Sequence, residues 1–217
     1  MQKILGLLAA AVLSAGTSHA ATLSFSDDFG PIATDWTNLG ASVSLGKFDA
    51  SLGTLNSVNF RFSGSMTASY EGTNFAASTR NVSLQTTGNI AYTLPVGPAV
   101  NMVLAASTPA SIAVAPDADF SGVLNPTGLM LREFTSNLDP YIGSGNFIIG
   151  LMADATFSTF GASGVQIDAA TTAFTSVSVT YNYTPTANAV PEPDALALVA
   201  LALGALGWTQ RRRQAAQ

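Results

Sequence analysis

The sequence predicts an all-β fold, an antiparallel β-sandwich or jelly roll, on three observations. Apolar and polar residues alternate with period two over several short runs. Gly, Pro, Asn and Ser separate those runs. No stretch of the chain body holds a sustained 3.6-residue apolar period with helix caps.

The elements follow in chain order. Residues 1–20 predict a signal peptide: Lys3 gives a positive start, Ile4–Leu13 is an apolar run, and Ser18-His19-Ala20 places small residues where a signal peptidase cuts, between Ala20 and Ala21. The body, 21–184, predicts strands at Thr22–Ser26, Ala41–Phe48, Val82–Thr86, Ile90–Leu94, Val100–Ala106 and Ser111–Ala115. Val58–Phe62 alternates cleanly, Gly64 offers a turn, and Met66, Ala68 and Tyr70 resume the pattern, which predicts a hairpin. Leu124–Asn137 is the one place for a short helix, against which Pro126 and Gly128 argue. Phe147–Phe160 predicts two strands or one bent strand. Val177–Tyr183 is the clearest strand, with Val177, Val179, Tyr181 and Tyr183 on one face. Residues 185–189 read as a short linker to a tail spanning 190–217.

The tail carries Val190-Pro191-Glu192-Pro193, an apolar run over 195–208, and Arg211-Arg212-Arg213. Fourteen helical residues reach about 21 Å against roughly 30 Å of bilayer hydrocarbon, so the span is a marginal membrane anchor. The arginines stay on the cytoplasmic side, which places 21–189 outside the inner membrane.

Composition excludes several chemistries. The chain has no cysteine, and its single histidine, His19, lies in the signal segment. A mature product without imidazole or thiol lacks the usual zinc, copper and haem ligands and the usual nucleophile–base pairs, so no cofactor and no enzyme activity are expected. Residues 21–189 hold eleven acids against Lys47, Arg61, Arg80 and Arg132, a net charge of −7. Such a surface repels nucleic acid.

The order Val190-Pro191-Glu192-Pro193, short apolar helix, terminal arginines resembles the PEP-CTERM sorting domain of Gram-negative bacteria. The resemblance implies that the 195–208 segment is a transmembrane sorting helix, passing transiently through the inner membrane. It further implies that residues 190–193 are a motif read by an exosortase, and that the product moves to the cell surface or extracellular matrix. Such proteins occur in bacteria that make exopolysaccharide and form biofilms. A second resemblance rests on Phe48-Asp49-Ala50-Ser51-Leu52-Gly53-Thr54-Leu55, which is similar to the FDxxLGxL signature of the choice-of-anchor E family, small exported domains on interchangeable anchors. Read physically, Phe48 and Leu55 turn inward around a bend at 51–53, and Asp49 accepts backbone N–H bonds from it.

Candidate sites in the body are few. Asp117 and Asp119 form a tight acidic pair that would supply part of a calcium site, solvated turn acids being the competing reading; Asp27-Asp28 is the other such pair. Trp36, in the polar stretch Thr34–Asn38, is the candidate glycan contact, against a core position beside Leu39. The expected function is an exported, exosortase-processed, non-enzymatic envelope or matrix protein associated with extracellular polysaccharide. The alternative is a carbohydrate-binding module with a defined sugar site. A glycan hydrolase built on paired carboxylates is a third class.

Overall fold

Alternation with period two sends every second side chain to one face, and two sheets bury those faces against each other. A computed structural model of the chain describes residues 20–34 and 41–186. Within them the strands are β1 (Ala21–Ala33), β2 (Ser42–Gly46), β3 (Gly53–Asn74), β4 (Arg80–Thr93), β5 (Val100–Ser107), β6 (Ile112–Val114), β7 (Asp119–Leu124), β8 (Thr127–Phe134), β9 (Asn146–Phe160) and β10 (Val165–Pro185). Sheet A runs β1-β10-β3, with β7 and β8 laid end to end along β3. Sheet B runs β2-β9-β4, with β5 and β6 laid end to end along β4. All these pairings are antiparallel.

Pro109 sits in the gap between β5 and β6, and Pro126 in the gap between β7 and β8. Proline lacks the ladder N–H, so each outer strand breaks there. Joined across those breaks, the molecule is two four-stranded sheets in which the chain passes repeatedly from one sheet to the other, the connectivity of a jelly roll. The expected sandwich is present.

The core has two parts. The larger gathers Val43, Leu45, Phe48, Phe60, Phe62, Ile90, Tyr92, Leu104, Tyr141, Ile149, Val179 and Tyr181, all at most 1% exposed, with other buried side chains. The smaller holds Ala68, Tyr70, Val82, Leu84, Val114 and Leu124. Three buried hydroxyls beside the larger part are matched: Tyr92 and Thr175 hydroxyls lie 2.7 Å apart, Thr175 Oγ1 donates to the Ser63 carbonyl, and Tyr181 Oη donates to the Gly46 carbonyl at 2.7 Å. Tyr141 is fully buried, and its hydroxyl approaches the Val96 backbone without a partner at hydrogen-bonding geometry.

Three local expectations change, and one open alternative is decided. Gly64 makes no turn, and β3 runs through it. A Cβ there would stand 2.9 Å from Met102 Sδ and 3.0 Å from Ile90 Cδ1, so glycine serves the close approach of the sheets. Val82–Thr86 and Ile90–Leu94 are one strand joined through Gly88, whose missing Cβ leaves room for the Met66 thioether. Leu124–Asn137 is strand rather than helix, paired residue by residue with β3 from Thr127 to Phe134. Phe147–Phe160 is one continuous strand. The bend at 48–55 forms as expected: Phe48 is buried, residues 50–52 make a single 3₁₀ turn, and Asp49 Oδ1 accepts from the Ser51 N–H at 2.9 Å. That backbone bond, and then the Ser51 side chain, hold the Asp49 carboxyl below its usual value.

Two consequences are measurable. Gly88→Ala would drive a methyl into Met66 and to 2.9 Å from the Asp154 carbonyl, and overpacking of this kind costs about 1–3 kcal/mol; the urea unfolding midpoint should fall accordingly, and an unchanged midpoint would refute the close-packed seam. Burial raises the phenols of Tyr92, Tyr141 and Tyr181, Tyr141 to about 12. The unfolded chain releases these protons near pH 10 while the folded chain keeps them, so the stability they give is whole below pH 10 and drains as pH climbs through 12. Tyr141 alone accounts for up to about 3 kcal/mol of that loss. Urea midpoints at pH 9 and 11.5 test this, with Tyr141→Phe expected to flatten the decline.

Candidate functional site

Surface chemistry concentrates on the outer face of sheet A, at the end where β3 reaches Asn74. There β3 and β10 set Glu71 opposite Asp168 and Thr73 opposite Gln166, and β7 adds Ser121 beside Glu71 and Asp119 beside Thr73. With Phe75 these residues line an open hollow of about 550 Å³. A second hollow of about 530 Å³ shares Glu71, Ser121 and Asp168 and continues towards Ser69, Val123 and Ala170. The two make one trough. Farther along the same face, Asn59, Arg61, Glu133, Ser178, Thr180 and Asn182 border a third hollow of about 620 Å³.

Asn74 fixes the rim. Its side chain is fully buried; Nδ2 donates to the carbonyls of Ser78, Val114 and Ala115, and Oδ1 accepts from the Ala76 N–H at 2.9 Å. Its own N–H donates to Ala118, and its carbonyl accepts from Asp117. A buried amide with every group matched locks the chain reversal after β3. Phe75, next in sequence, is thereby held outward and is 65% exposed, with its N–H donating to the Gly164 carbonyl. An aromatic ring standing beside hydroxyls, an amide and carboxylates presents a flat apolar surface next to hydrogen-bonding groups, the pairing that a sugar ring offers in reverse.

The trough carries three carboxylates, and among the described residues no Lys or Arg lines either of its hollows. Glu71 and Asp168 are direct cross-strand neighbours, and like charges in that relation destabilise a sheet. Asp119 Oδ1 accepts from Thr73 Oγ1 at 2.6 Å, and Asp168 Oδ2 accepts from Gln166 Nε2 at 3.4 Å.

The sequence candidates fall as follows. Asp117 lies in the turn before β7 with φ at 55°, and Asp119 begins β7 with its carboxylate on Thr73. Among the described residues no group of three or more acids or histidines comes together as a metal site would require. Asp27 accepts from the Ser44 N–H at 2.8 Å, joining β1 of one sheet to β2 of the other, so its role is structural. Ala20 is exposed and Ala21 opens β1 opposite Tyr183, so the expected signal-peptidase cut falls at the strand's first residue. Trp36, the motif Val190, Pro191, Glu192 and Pro193, the apolar 195–208 run and Arg211, Arg212 and Arg213 lie outside the described residues. Among the described residues no helix is long and apolar enough to cross a membrane. Sequence reasoning missed Glu71, Phe75, Gln166 and Asp168. They come from strand ends and a loop far apart in the chain, and only the pairing of β3 with β10 gathers them.

Comparison with known proteins gives one family match, the PEP-CTERM protein-sorting motif, over residues 189–213. This motif marks an exported chain that an exosortase processes, with membrane-anchored sorting in Gram-negative bacteria. No curated protein matches. Among solved structures, that of infectious bursal disease virus Gt strain is 12% identical, covers 94% of this chain and 54% of its own, and has a TM-score of 0.15. That of the Gx strain is 14% identical, covers 94% and 52%, and has a TM-score of 0.14. The chain thus spans about half the length of these structures, and so slight a likeness says nothing of its activity.

Proposed function

We propose that the chain is a non-enzymatic surface protein that holds extracellular polysaccharide, and that the sheet A trough is where it does so. The observation that carries this reading is the polarity of the domain. β10 leads out at Pro185, towards the sorting motif at 189–213, and Ala21 pairs with Tyr183 at that same end. The trough lies at the other end of β10, by Gln166 and Asp168. Seventeen strand residues separate Asp168 from Pro185, about 55 Å at strand rise. The trough therefore lies at the end of the domain remote from the residue where the chain leaves it.

The charge of the trough names a class of glycan. Three carboxylates without a base repel uronate and sulfate polymers, and suit neutral or amine-bearing sugars. An open, solvated trough also lacks the desolvated pocket that raises a carboxyl into a general acid, which favours binding over hydrolysis. Glu71 and Asp168 nevertheless supply two carboxylates, the groups a glycoside hydrolase needs, and turnover that disappears in Glu71→Gln would replace binding with catalysis. Placement of the domain in the choice-of-anchor E family, suggested by residues 48–55, belongs to the same proposal, as does a sugar contact at Trp36.

Co-sedimentation with insoluble neutral, amino-sugar and acidic polysaccharides tests the reading. Phe75→Ala should weaken retention on the bound polymer about two- to twelve-fold, from a stacking contribution of about 0.5–1.5 kcal/mol. Trp36→Ala isolates the alternative sugar site. Equal retention of all variants on all polymers would sink both. Sorting is tested separately: neutral residues at 211–213 should leave unprocessed precursor in an exosortase-bearing host, and normal processing would count against the tail's role.

A further inference from the structure

The outer face of sheet B offers a different chemistry. Its charges reduce to Asp154; around it stand Ser42, Ser44, Gln85, Thr87, Asn89, Thr93 and Asn101, with Ile148, Met152 and Val103 exposed among them at 63%, 50% and 70%. The register places Met152 beside Ala91, and Val103 beside Asn89, diagonal to Ala91, so the apolar side chains form a patch rather than scattered points.

Gly150 lies in that patch, between Ile148 and Met152 on β9. Among the described residues nothing requires it. It has no left-handed φ, and a Cβ there would meet Thr93 Cβ at an ordinary 3.6 Å. Gly64, Gly72, Gly88, Gly122 and Gly128, also in strands, each make room for a neighbouring side chain. A glycine in a strand interior costs stability, and where no internal contact explains it, it marks the approach of another backbone from outside.

We propose that two copies of the domain pack sheet B against sheet B about a two-fold axis at Gly150. The pattern along β9 is its own complement. An axis at Gly150 sets Ile148 against the partner's Met152, and Met152 against the partner's Ile148, while the two glycines let the strands close. The same operation sets Asp154 against the partner's Asn146, so the one carboxylate of the face meets an amide and not its own image. Charge selects this face for a second copy: 21–189 carries −7, and the outer face of sheet A, which sets Asp28, Glu71, Asp119, Glu133 and Asp168 against Arg61, would bring carboxylates together.

Edges are closed to self-pairing. Asp27 points inward on edge strand β1 and occupies the Ser44 N–H of edge strand β2, Arg132 takes an inward position on β8, and breaks at Pro109 and Pro126 interrupt the other edges. Face-to-face contact is what remains. Four strands by eight residues give on the order of 500 Å² per copy, below the roughly 800 Å² of a standard interface. The contact is therefore weak in dilute solution and forms when copies are held close on a surface.

The chain's lack of cysteine makes the test direct. Gly150→Cys, in the full exported chain on cells, should yield a covalent dimer with a short bismaleimide. Ser26→Cys, on the outer face of sheet A, should yield none. Ile148→Glu added to Gly150→Cys should abolish the dimer. The double variant Ile148→Cys with Met152→Cys, at exposed side chains, repeats the test should Gly150→Cys fold poorly, because each thiol then faces the other kind on the partner. Cross-linking of both at the level of Ser26→Cys overturns the proposal, as does a dimer that survives Ile148→Glu. Cross-links to a different protein would assign the face to another partner and overturn it too.

Discussion

The pairing of β3 with β10 is the constraint on which the rest of the structure depends. It runs from Asn74 opposite Val165 to Gly53 opposite Pro185, with one irregularity between Asn182 and Tyr183. Every other strand of sheet A hangs on this pair: β1 on β10, and β7 and β8 on β3. Both parts of the core take side chains from β3, Phe60 and Phe62 in one and Ala68 and Tyr70 in the other. A ladder this long must cross the waist of the sandwich without turning. Glycine at 64, 88 and 128 makes that crossing possible, because the methionines and leucine there, Met66, Met102 and Leu104, fill the space a Cβ would take. Met is suited to such a seam, since its unbranched thioether adapts to an irregular gap.

The same glycines explain what the sequence concealed. Period-two alternation at Val58–Phe62 and Val177–Tyr183 was legible because each residue there has one dry and one wet side. Gly64 and Gly88 look like punctuation from sequence, as glycine permits turns, and nothing local distinguishes a turn glycine from one pressed against a methionine of the opposite sheet. The apolar residues of Leu124–Asn137 suggested a helix because Leu129 and Leu131 face solvent on β8, which blurs the alternation. The bend at 48–55 was legible down to the Asp49 acceptor, being set by contacts only two residues apart. The trough was not legible, because Glu71 and Asp168 meet through register, and register is a property of the pair of strands.

Polar side chains inside the fold do the work of joining rather than of chemistry. Asn74 ties three segments at one end, and Tyr181 and Asp27 tie the sheets at the other through the Gly46 carbonyl and the Ser44 N–H. Without disulfides, an exported domain needs such links where hydrophobic area runs thin at its ends. They also fix the two ends of the domain: the Asn74 links hold Phe75 and the trough, and the Tyr181 and Asp27 links secure the end from which the chain leads to its sorting motif.

Shallow sites are what such a display can use. On the proposed reading, a single open trough with one exposed aromatic ring would give modest affinity for a sugar, and a face of about 500 Å² would give modest affinity for a second copy. Tethering changes both. Copies confined to a surface meet at an effective concentration far above that of the same protein in solution, and a repeating polymer presents its sugar many times, so weak contacts sum. A pair joined through sheet B would turn its two sheet A faces in opposite directions, and each trough would then meet a different stretch of polymer. Cross-bridging of polymer strands would follow from those two proposals together, with no need for a deep pocket or a catalytic group in either copy.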